Sequence, residues 1–362
     1  MNKFSTELWK EINISEKNDH SGNWDVMSRG PEPEAPLERY FLRDLIGKFY
    51  PTRKYRTKLR QYESIGYLYD LLNDLCSKEL LVKLFAFRAM GHRKIKLPQS
   101  NPEHWDNIKR IEQLEIVGPA LPIGYMDITL QQRGLKPIGF DIRAYCTGAG
   151  ASYTFLQRQY ELHRDAVRCK AEKGDFVIDA GACWGETSLY FAHEVGKEGR
   201  VFSFEFIPSN MEVLRKNIAA NPQLADTINV IDKPLWNQDG QIVYYVDWGP
   251  GSRVSFEKLR EDFANTQCAT TTIDHIVSEY NVPRVDFIKM DIEGAELNAL
   301  KGAEDTILRY RPKLAISLYH SIDDFKTIPR YLNSLGLSYK YYLDHHTIYE
   351  NETVLFAVPQ HE

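Results

Sequence analysis

The chain lacks the marks of several common classes. Its 362 residues include five cysteines, Cys76, Cys146, Cys169, Cys183 and Cys268, and no two of them form a CxxC pair. An odd, scattered set is neither a disulfide framework nor a zinc knuckle, and it suits a reducing compartment. No uninterrupted apolar run approaches the ~18 residues of a membrane-spanning helix. The N-terminal stretch MNKFSTELWKEINISEKNDHSGNWD lacks the apolar core of a signal peptide. No membrane span is expected, and the cytoplasm is the expected location. There is no basic excess either. The net charge is -5, so nucleic acid is not an expected partner. The dinucleotide signature GxGxxG is missing, as are internal repeats and low-complexity tracts.

The composition is that of a globular chain with a sizeable core, 43% hydrophobic and 26% charged, and long enough for two domains. Residues 1–36 are polar and end in a proline-rich run, which predicts a loosely ordered arm. Residues 37–150 are helical and then mixed. Leu68, Leu71, Leu72, Leu75, Leu80, Leu81, Leu84 and Phe85 recur at helical spacing, and Pro98, Pro102, Pro119 and Pro122 interrupt the stretch after Gly91. A short strand is expected over 136–143 and a helix over 154–169. Residues 151–362 are expected to form the second domain, in which strands and helices alternate. Strands are predicted at 176–180, 201–205, 228–232, 285–290, 314–318, 339–343 and 353–357. Helices are predicted at 186–194, 209–220, 295–310 and 322–335. The pattern implies an α/β fold, a mostly parallel seven-stranded Rossmann-like sheet covered on both faces, preceded by a mainly α-helical region.

The sharpest local signal is Asp179-Ala-Gly181-Ala-Cys183-Trp-Gly185, directly after the first predicted strand. Glycine there lets the chain turn tightly and approach a ligand without a Cβ in the way. The spacing is GxxxG with an acid two positions earlier, which suits the zwitterion of a bound amino acid better than a pyrophosphate. Glu205 ends the next strand, where nucleotide-binding sheets present a carboxylate to ribose hydroxyls. Leu235 and Trp236 come after the third strand and are candidates to flank a base, although Trp236 would serve equally well as core.

Asp179-Ala-Gly181 with Gly185, Phe204-Glu205-Phe206, Phe287-Ile-Lys-Met-Asp-Ile-Glu-Gly-Ala-Glu296 and Glu352-Thr-Val-Leu-Phe-Ala357 together resemble the FkbM-type methyltransferases. These are class I enzymes that use S-adenosylmethionine, mostly on hydroxyls of sugars and other natural products. The resemblance covers residues 150–358. It implies S-adenosylmethionine as cofactor, with Asp179, Gly181, Cys183, Gly185, Glu205, Phe206, Leu235 and Trp236 around it. It also implies a small-molecule or glycan acceptor. The stretch from Leu68 to Leu97 resembles the helical extension of a longer bacterial subgroup. Cys183 departs from the pattern, since class I methyltransferases often carry a third glycine there.

A neutral hydroxyl is a poor nucleophile, so its proton must be removed or polarised by a base or a divalent metal. Asp291 lies just after the fourth strand and His320 just after the fifth. His345 and His346 come after a late strand expected to return to the same edge. Histidine titrates near neutrality and also binds metals, so His320, His345 and His346 join Asp291 as catalytic candidates. Asp291 with His320 is equally a candidate divalent-metal pair, and the histidine would favour an ion softer than magnesium. Lys289 is expected to turn away from Asp291 and not to act as a base. Tyr319, Tyr341 and Tyr342 are expected to pack.

Three rivals share this sheet. One is a methyltransferase acting on a polyketide-type alcohol or on nitrogen. Another is an NAD-dependent oxidoreductase, against which the missing GxGxxG counts. The third is a catalytically silent binding module. The helical region could shape the acceptor pocket, pair two copies of the chain or dock a partner, and the sequence leaves these open.

Overall fold

The computed structural model describes residues 2–20, 55–124, 127–164, 166–258 and 265–360. The part of the expected polar arm from 21 to 36, and the expected helical stretch from 37 to 54, lie outside them.

The large sheet consists of β1 (Phe176–Ala180), β2 (Arg200–Phe204), β3 (Ile228–Ile231), β4 (Phe287–Met290), β5 (Lys313–Ser317), β6 (Lys340–His345) and β7 (Thr353–Val358). Their spatial order is β6-β7-β5-β4-β1-β2-β3. β7 runs antiparallel to both its neighbours, and every other pair is parallel. The seven strands expected in the second domain are therefore all present, with ends within two residues of those read from the pattern. Central strands such as β4, in which all four residues are buried, read as apolar runs because helices cover both faces.

The helices that frame the sheet are α1 (Lys3–Ser15), α2 (Gly66–Leu71), α3 (Leu75–Met90), α4 (Pro102–Glu112), α5 (Glu186–Val195), α6 (Pro208–Ala219), α7 (Glu296–Lys301), α8 (Glu304–Tyr310) and α9 (Asp324–Ser334). The helix expected over 295–310 is in fact two, α7 and α8. They part at Gly302, where a Cβ would lie 2.1 Å from the Trp236 carbonyl oxygen.

Three other expectations are corrected, and one feature is new. Residues 3–15 are not a loose arm but α1, because Phe4, Leu8 and Ile12 form a buried stripe at four-residue spacing. Asn2 caps that helix through the Ser5 N–H at 2.8 Å. Residues 136–143 are not a strand. Pro137 starts a single 3-10 turn, Gly139 ends it at φ +102°, and the strand Arg143–Cys146 comes next. Residues 154–169 are not one helix. A π-helical turn over Ser152–Leu156 leads to a hairpin of Leu162–Arg164 with Val167–Cys169. Between β3 and β4 lies an unforeseen antiparallel sheet of Ile242–Tyr245, Val254–Ser255 and Thr266–Ala269, strands too short to show a period.

The helical region shares its core with the sheet. Phe4, Leu8, Leu81 and Phe85 pack in one cluster with Ile178, Ile288, Leu314 and Phe325. On the opposite face Phe140, Phe155 and Tyr160 pack with Leu189, Phe191, Val177 and Phe287. Packing is therefore continuous across residue 150, the boundary drawn from the sequence.

The segment joining α2 to α3 also completes the sheet edge. Asn73 N–H donates to the Tyr341 carbonyl at 2.9 Å, and Tyr341 N–H donates to Asn73 Oδ1 at 2.7 Å. Ser77 Oγ accepts from Leu343 N–H at 2.9 Å and from Arg164 at 2.9 Å. An edge strand covered in this way offers no ladder to another chain. Ser77→Ala should leave the buried Leu343 N–H unpaired and lower the unfolding free energy by about 1–3 kcal/mol, measured by denaturant titration.

Candidate active site

The order of the sheet reverses at β1, with β2 and β3 on one side and β4 and β5 on the other. Ligands of open α/β sheets bind beyond the carboxyl ends of the strands at such a point. A cavity of about 340 Å³ lies there. Gly181, Cys183, Glu205, Phe206, Leu235 and Asp291, all named from the sequence, line it.

Gly181 sits where the loop after β1 crosses the loop after β4. Its φ is +86°, and a Cβ would lie 1.8 Å from the Asp291 carbonyl oxygen, so only glycine can occupy the crossing. Cys183 holds a left-handed φ of +50°, a conformation that explains why glycine is common there. Gly185 does not reach the cavity. It starts α5 at φ +91°, where a Cβ would meet Leu214 of α6 at 2.5 Å, so its part is helix packing.

Asp179 corrects the expectation most sharply. It is fully buried behind the cavity wall, and its oxygens are already engaged. Thr187 Oγ1 donates at 2.9 Å, Ser188 Oγ at 2.7 Å, and Lys289 Nζ lies 3.1 Å away. It is therefore not free to receive the amino group of a ligand. Lys289 does not turn away either. Residues two apart on a strand share a face, so it lines the same cavity as Asp291. Its ammonium also donates to the carbonyls of Ala180 at 3.1 Å and Gly181 at 2.6 Å. Charged and hydrogen-bonded at every proton, it is a counter-ion rather than a base.

Glu205 is buried at the opposite wall. Its Oε1 accepts from the N–H groups of Phe206 and Ile207, each at 2.8 Å, and Asn210 Nδ2 lies 3.3 Å from Oε2. Burial pushes this carboxyl up to about 7 against the pull of those donors. Phe206 stands edge-on to Tyr245 of the inserted sheet at 5.2 Å. Trp236 does not line the cavity. Its ring is part-buried and packs edge-on against the exposed Phe256 at 5.4 Å, outside the core clusters, so neither alternative read from the sequence describes it.

Asp291 is held from three sides. Tyr160 Oη donates to Oδ2 at 2.8 Å, Tyr319 Oη donates to Oδ1 at 2.9 Å, and His320 Nε2 stands 3.3 Å from Oδ1. Burial first, and the charge of Asp291 second, hold both phenols well above their ordinary value, so they remain donors. Glu296 lies 2.9 Å from His320 Nδ1, and Glu293 lies 3.6 Å from Nε2, the nitrogen that faces Asp291. Burial alone would lower its pKa, but the three carboxylates prevail and raise it to about 11. His320 is thus an imidazolium, which overturns its reading as a base acting near neutrality. Asp291, Glu296 and His320 also present ligand atoms within 4.8 Å of one another, a donor set that suits a divalent cation if the histidine gives up its proton.

His345 and His346 do not join the site. β6 does return to the expected edge, but β7 and β5 stand between it and β4. Both histidines are buried, and burial lowers both, His345 to about 3. His345 Nδ1 pairs with Thr353 Oγ1 at 2.9 Å. They are neutral core residues, not catalytic ones.

Residues 169–341 match the family model described as Methyltransferase FkbM domain. The chain carries an FkbM methyltransferase domain. The fold is that of methyltransferase FkbM from Methylobacillus flagellatus KT, with a TM-score of 0.51 and 20% identity over 84% of this chain and 60% of that one. Methyltransferase sdnD of Sordaria araneosa is 26% identical over 159 residues, 36% of this chain and 61% of that protein. Methyltransferase 1 of Beauveria bassiana is 22% identical over 182 residues, 45% of this chain and 72% of that protein. The chain thus spans less than two thirds of the length of the first two.

Several groups in the cavity of this FkbM domain were not foreseen, and some lie outside the matched residues. Tyr160 and Gln159 precede the match, and Glu352 lies beyond its end. Glu352 lines the cavity, takes a hydrogen bond from Gln159 Nε2 at 2.5 Å and holds a left-handed φ of +61°. Burial of its carboxyl, and then the charge of Asp291, push it well above the usual carboxylate range. Glu186, enclosed at the start of α5, is pushed by burial to about 7. Only the positive φ has a sequence signature, and glutamate hides it.

Lys289→Met in the FkbM domain should leave Asp179 buried without its counter-ion and cost about 3–5 kcal/mol of stability. The double variant Lys289→Met/Asp179→Leu should recover part of that loss, both read by denaturant unfolding. A carboxyl raised in the folded state binds more protons there than in the unfolded chain, so stability falls as pH rises from the ordinary value through the folded one. Melting temperature should therefore decline between about pH 4.5 and 7, with a shallower slope in Glu186→Gln.

Proposed function

We propose that this chain transfers a methyl group from S-adenosylmethionine to a hydroxyl of a sugar, glycan or glycosylated natural product. The observation that carries the reading is the cavity at the strand-order reversal, with a glycine crossing on one side, the Glu205 carboxylate on another and acidic groups at its floor. Supporting it, the matched family is a methyltransferase family, which favours this chemistry over the dinucleotide oxidoreductase.

The residues fit the cofactor. The Gly181–Cys183 turn brings main chain to the cavity wall without side-chain obstruction, Glu205 offers Oε2 to ribose, and Phe206 and Leu235 provide apolar walls for a base. Asn210 Oδ1, a buried acceptor on this wall with no partner among the described residues, is open to a donor. When bound, S-adenosylmethionine supplies an electrophilic methyl on a cationic sulfur. Asp291, held by two phenols with His320 beside it, places its oxygens at the reacting end. Glu352, raised and on the same wall, is suited to accept the proton a hydroxyl gives up. His320 holds Asp291 in place as a cation. If a divalent ion replaced the proton on His320, Asp291, Glu296 and His320 would hold it, and it would acidify a nearby hydroxyl.

The cavity lining holds Glu186, Glu205, Asp291, Glu293 and Glu352 against two lysines, Lys233 and Lys289, and this excess of acid favours neutral acceptors over anionic ones. Lys289 is committed to Asp179. The five free thiols agree with a cytoplasmic setting, which we include in the proposal. Among the described residues, no helix is long and apolar enough to cross a membrane.

Calorimetric titration with S-adenosylhomocysteine tests the reading. The wild-type protein should bind, and Glu205→Gln should bind at least about tenfold more weakly, the effect of losing one charged hydrogen bond. Methyl transfer to hydroxylated sugars, compared with and without EDTA, then separates base from metal. A folded wild-type protein that binds no S-adenosylhomocysteine in either condition would overturn the proposal.

A further inference from the structure

We propose that Asn210 binds the cofactor directly, taking one of the two ribose hydroxyls through Oδ1 while Glu205 takes the other through Oε2. This rests on the S-adenosylmethionine reading above and adds to it how the ribose is recognised.

Asn210 lies in the first turn of α6, lines the cavity and is only 2% exposed. Its side-chain orientation is fixed by chemistry. In its ionised form the Glu205 carboxylate only accepts hydrogen bonds, so the group 3.3 Å from its Oε2 is then the amide NH2. Oδ1 is then the remaining polar atom, an acceptor. It is fully buried and has no partner among the described residues. Buried acceptors are nearly always satisfied, so a partnerless one on a ligand cavity points to a donor that arrives with the ligand.

The state of Glu205 indicates what that donor is. Oε1 already accepts from the N–H groups of Phe206 and Ile207, which fill its two lone-pair sites. Oε2 has the long contact to Asn210, and the Cys183 backbone N–H is a further, weaker donor to the carboxylate. A carboxylate with one spent oxygen is poorly placed to take both hydroxyls of a diol. The wall instead presents two neighbouring open acceptors, Oε2 of Glu205 and Oδ1 of Asn210, linked through the Asn210 NH2 group that donates to Oε2. A vicinal diol carries two adjacent donors, whereas a base edge or an amino group would present a different pattern. α6 fixes this pair in turn. Asn217 and Asn221, further along and just beyond the same helix, clasp the backbone of Tyr145 and Arg143 and lock the helix against the strand over Arg143–Cys146.

Calorimetry on the full chain, using S-adenosylhomocysteine and its 2′-deoxy and 3′-deoxy forms as probes, tests the assignment. Asn210→Ala should bind S-adenosylhomocysteine about tenfold more weakly, the value of one buried hydrogen bond. Asn210→Ser, which keeps a hydroxyl acceptor, should lose less and serves if the alanine variant folds poorly. One deoxy form should bind wild type about tenfold more weakly than the parent yet bind Asn210→Ala about as well as the parent does. Disturbance of α6 alone would weaken all three probes together and could not produce that selective loss. Unchanged affinity in a folded Asn210→Ala, or equal weakening of all three probes, overturns the assignment while leaving the cofactor reading intact. Failure of the wild-type protein to bind any probe overturns both.

Discussion

The ion pair of Lys289 with Asp179 ties β4 to β1 where the order of the sheet reverses. Two charges with almost no exposure are costly to bury, and the cost is offset only when every proton and lone pair is used. Here Thr187 and Ser188 complete the carboxylate, and the carbonyls of Ala180 and Gly181 complete the ammonium. The same bonds pull the turn after β1 onto the end of β4, so Gly181 crosses the Asp291 backbone without space for a Cβ. The shape of the cavity derives from that crossing. An acid that resembles a ligand contact in the sequence thus works one layer behind the cavity wall, holding the loop that lines it.

Electrostatics divides the remaining acids into two groups. Asp291 is surrounded by donors, two phenols and an imidazolium. Glu186, Glu205 and Glu352 are enclosed with too little compensation, and each is raised. Groups of one type with opposed environments are a frequent mark of sites that bind cations or move protons. A cationic sulfonium placed among them would offset part of this negative charge.

The helical region is part of the same folding unit. α1 and α3 bury Phe4, Leu8 and Phe85 against α9 and the sheet, and the segment between α2 and α3 covers the edge of β6. On the other face the segment from 136 to 169 packs against α5 and brings Gln159 and Tyr160 to the cavity. The cavity is therefore lined partly by residues on either side of the matched family segment.

By itself the sequence determined the strands of the large sheet, the helices between them and the turn at Gly181, because apolar runs, helical periodicity and glycine spacing are local properties of the chain. It also placed Glu205 and Asp291 at the correct edge, since each comes directly after a strand. Which side chains face the ligand was decided only by the tertiary structure. Asp179 was taken up by Lys289 from a distant strand, and His320 was made a cation by carboxylates from the loop after β4 and from α7. His345 and His346 were carried beyond the site by the two strands that lie between. A pairing partner, a neighbouring charge and a position across the sheet depend on residues far apart in sequence, and no spacing along the chain encodes them.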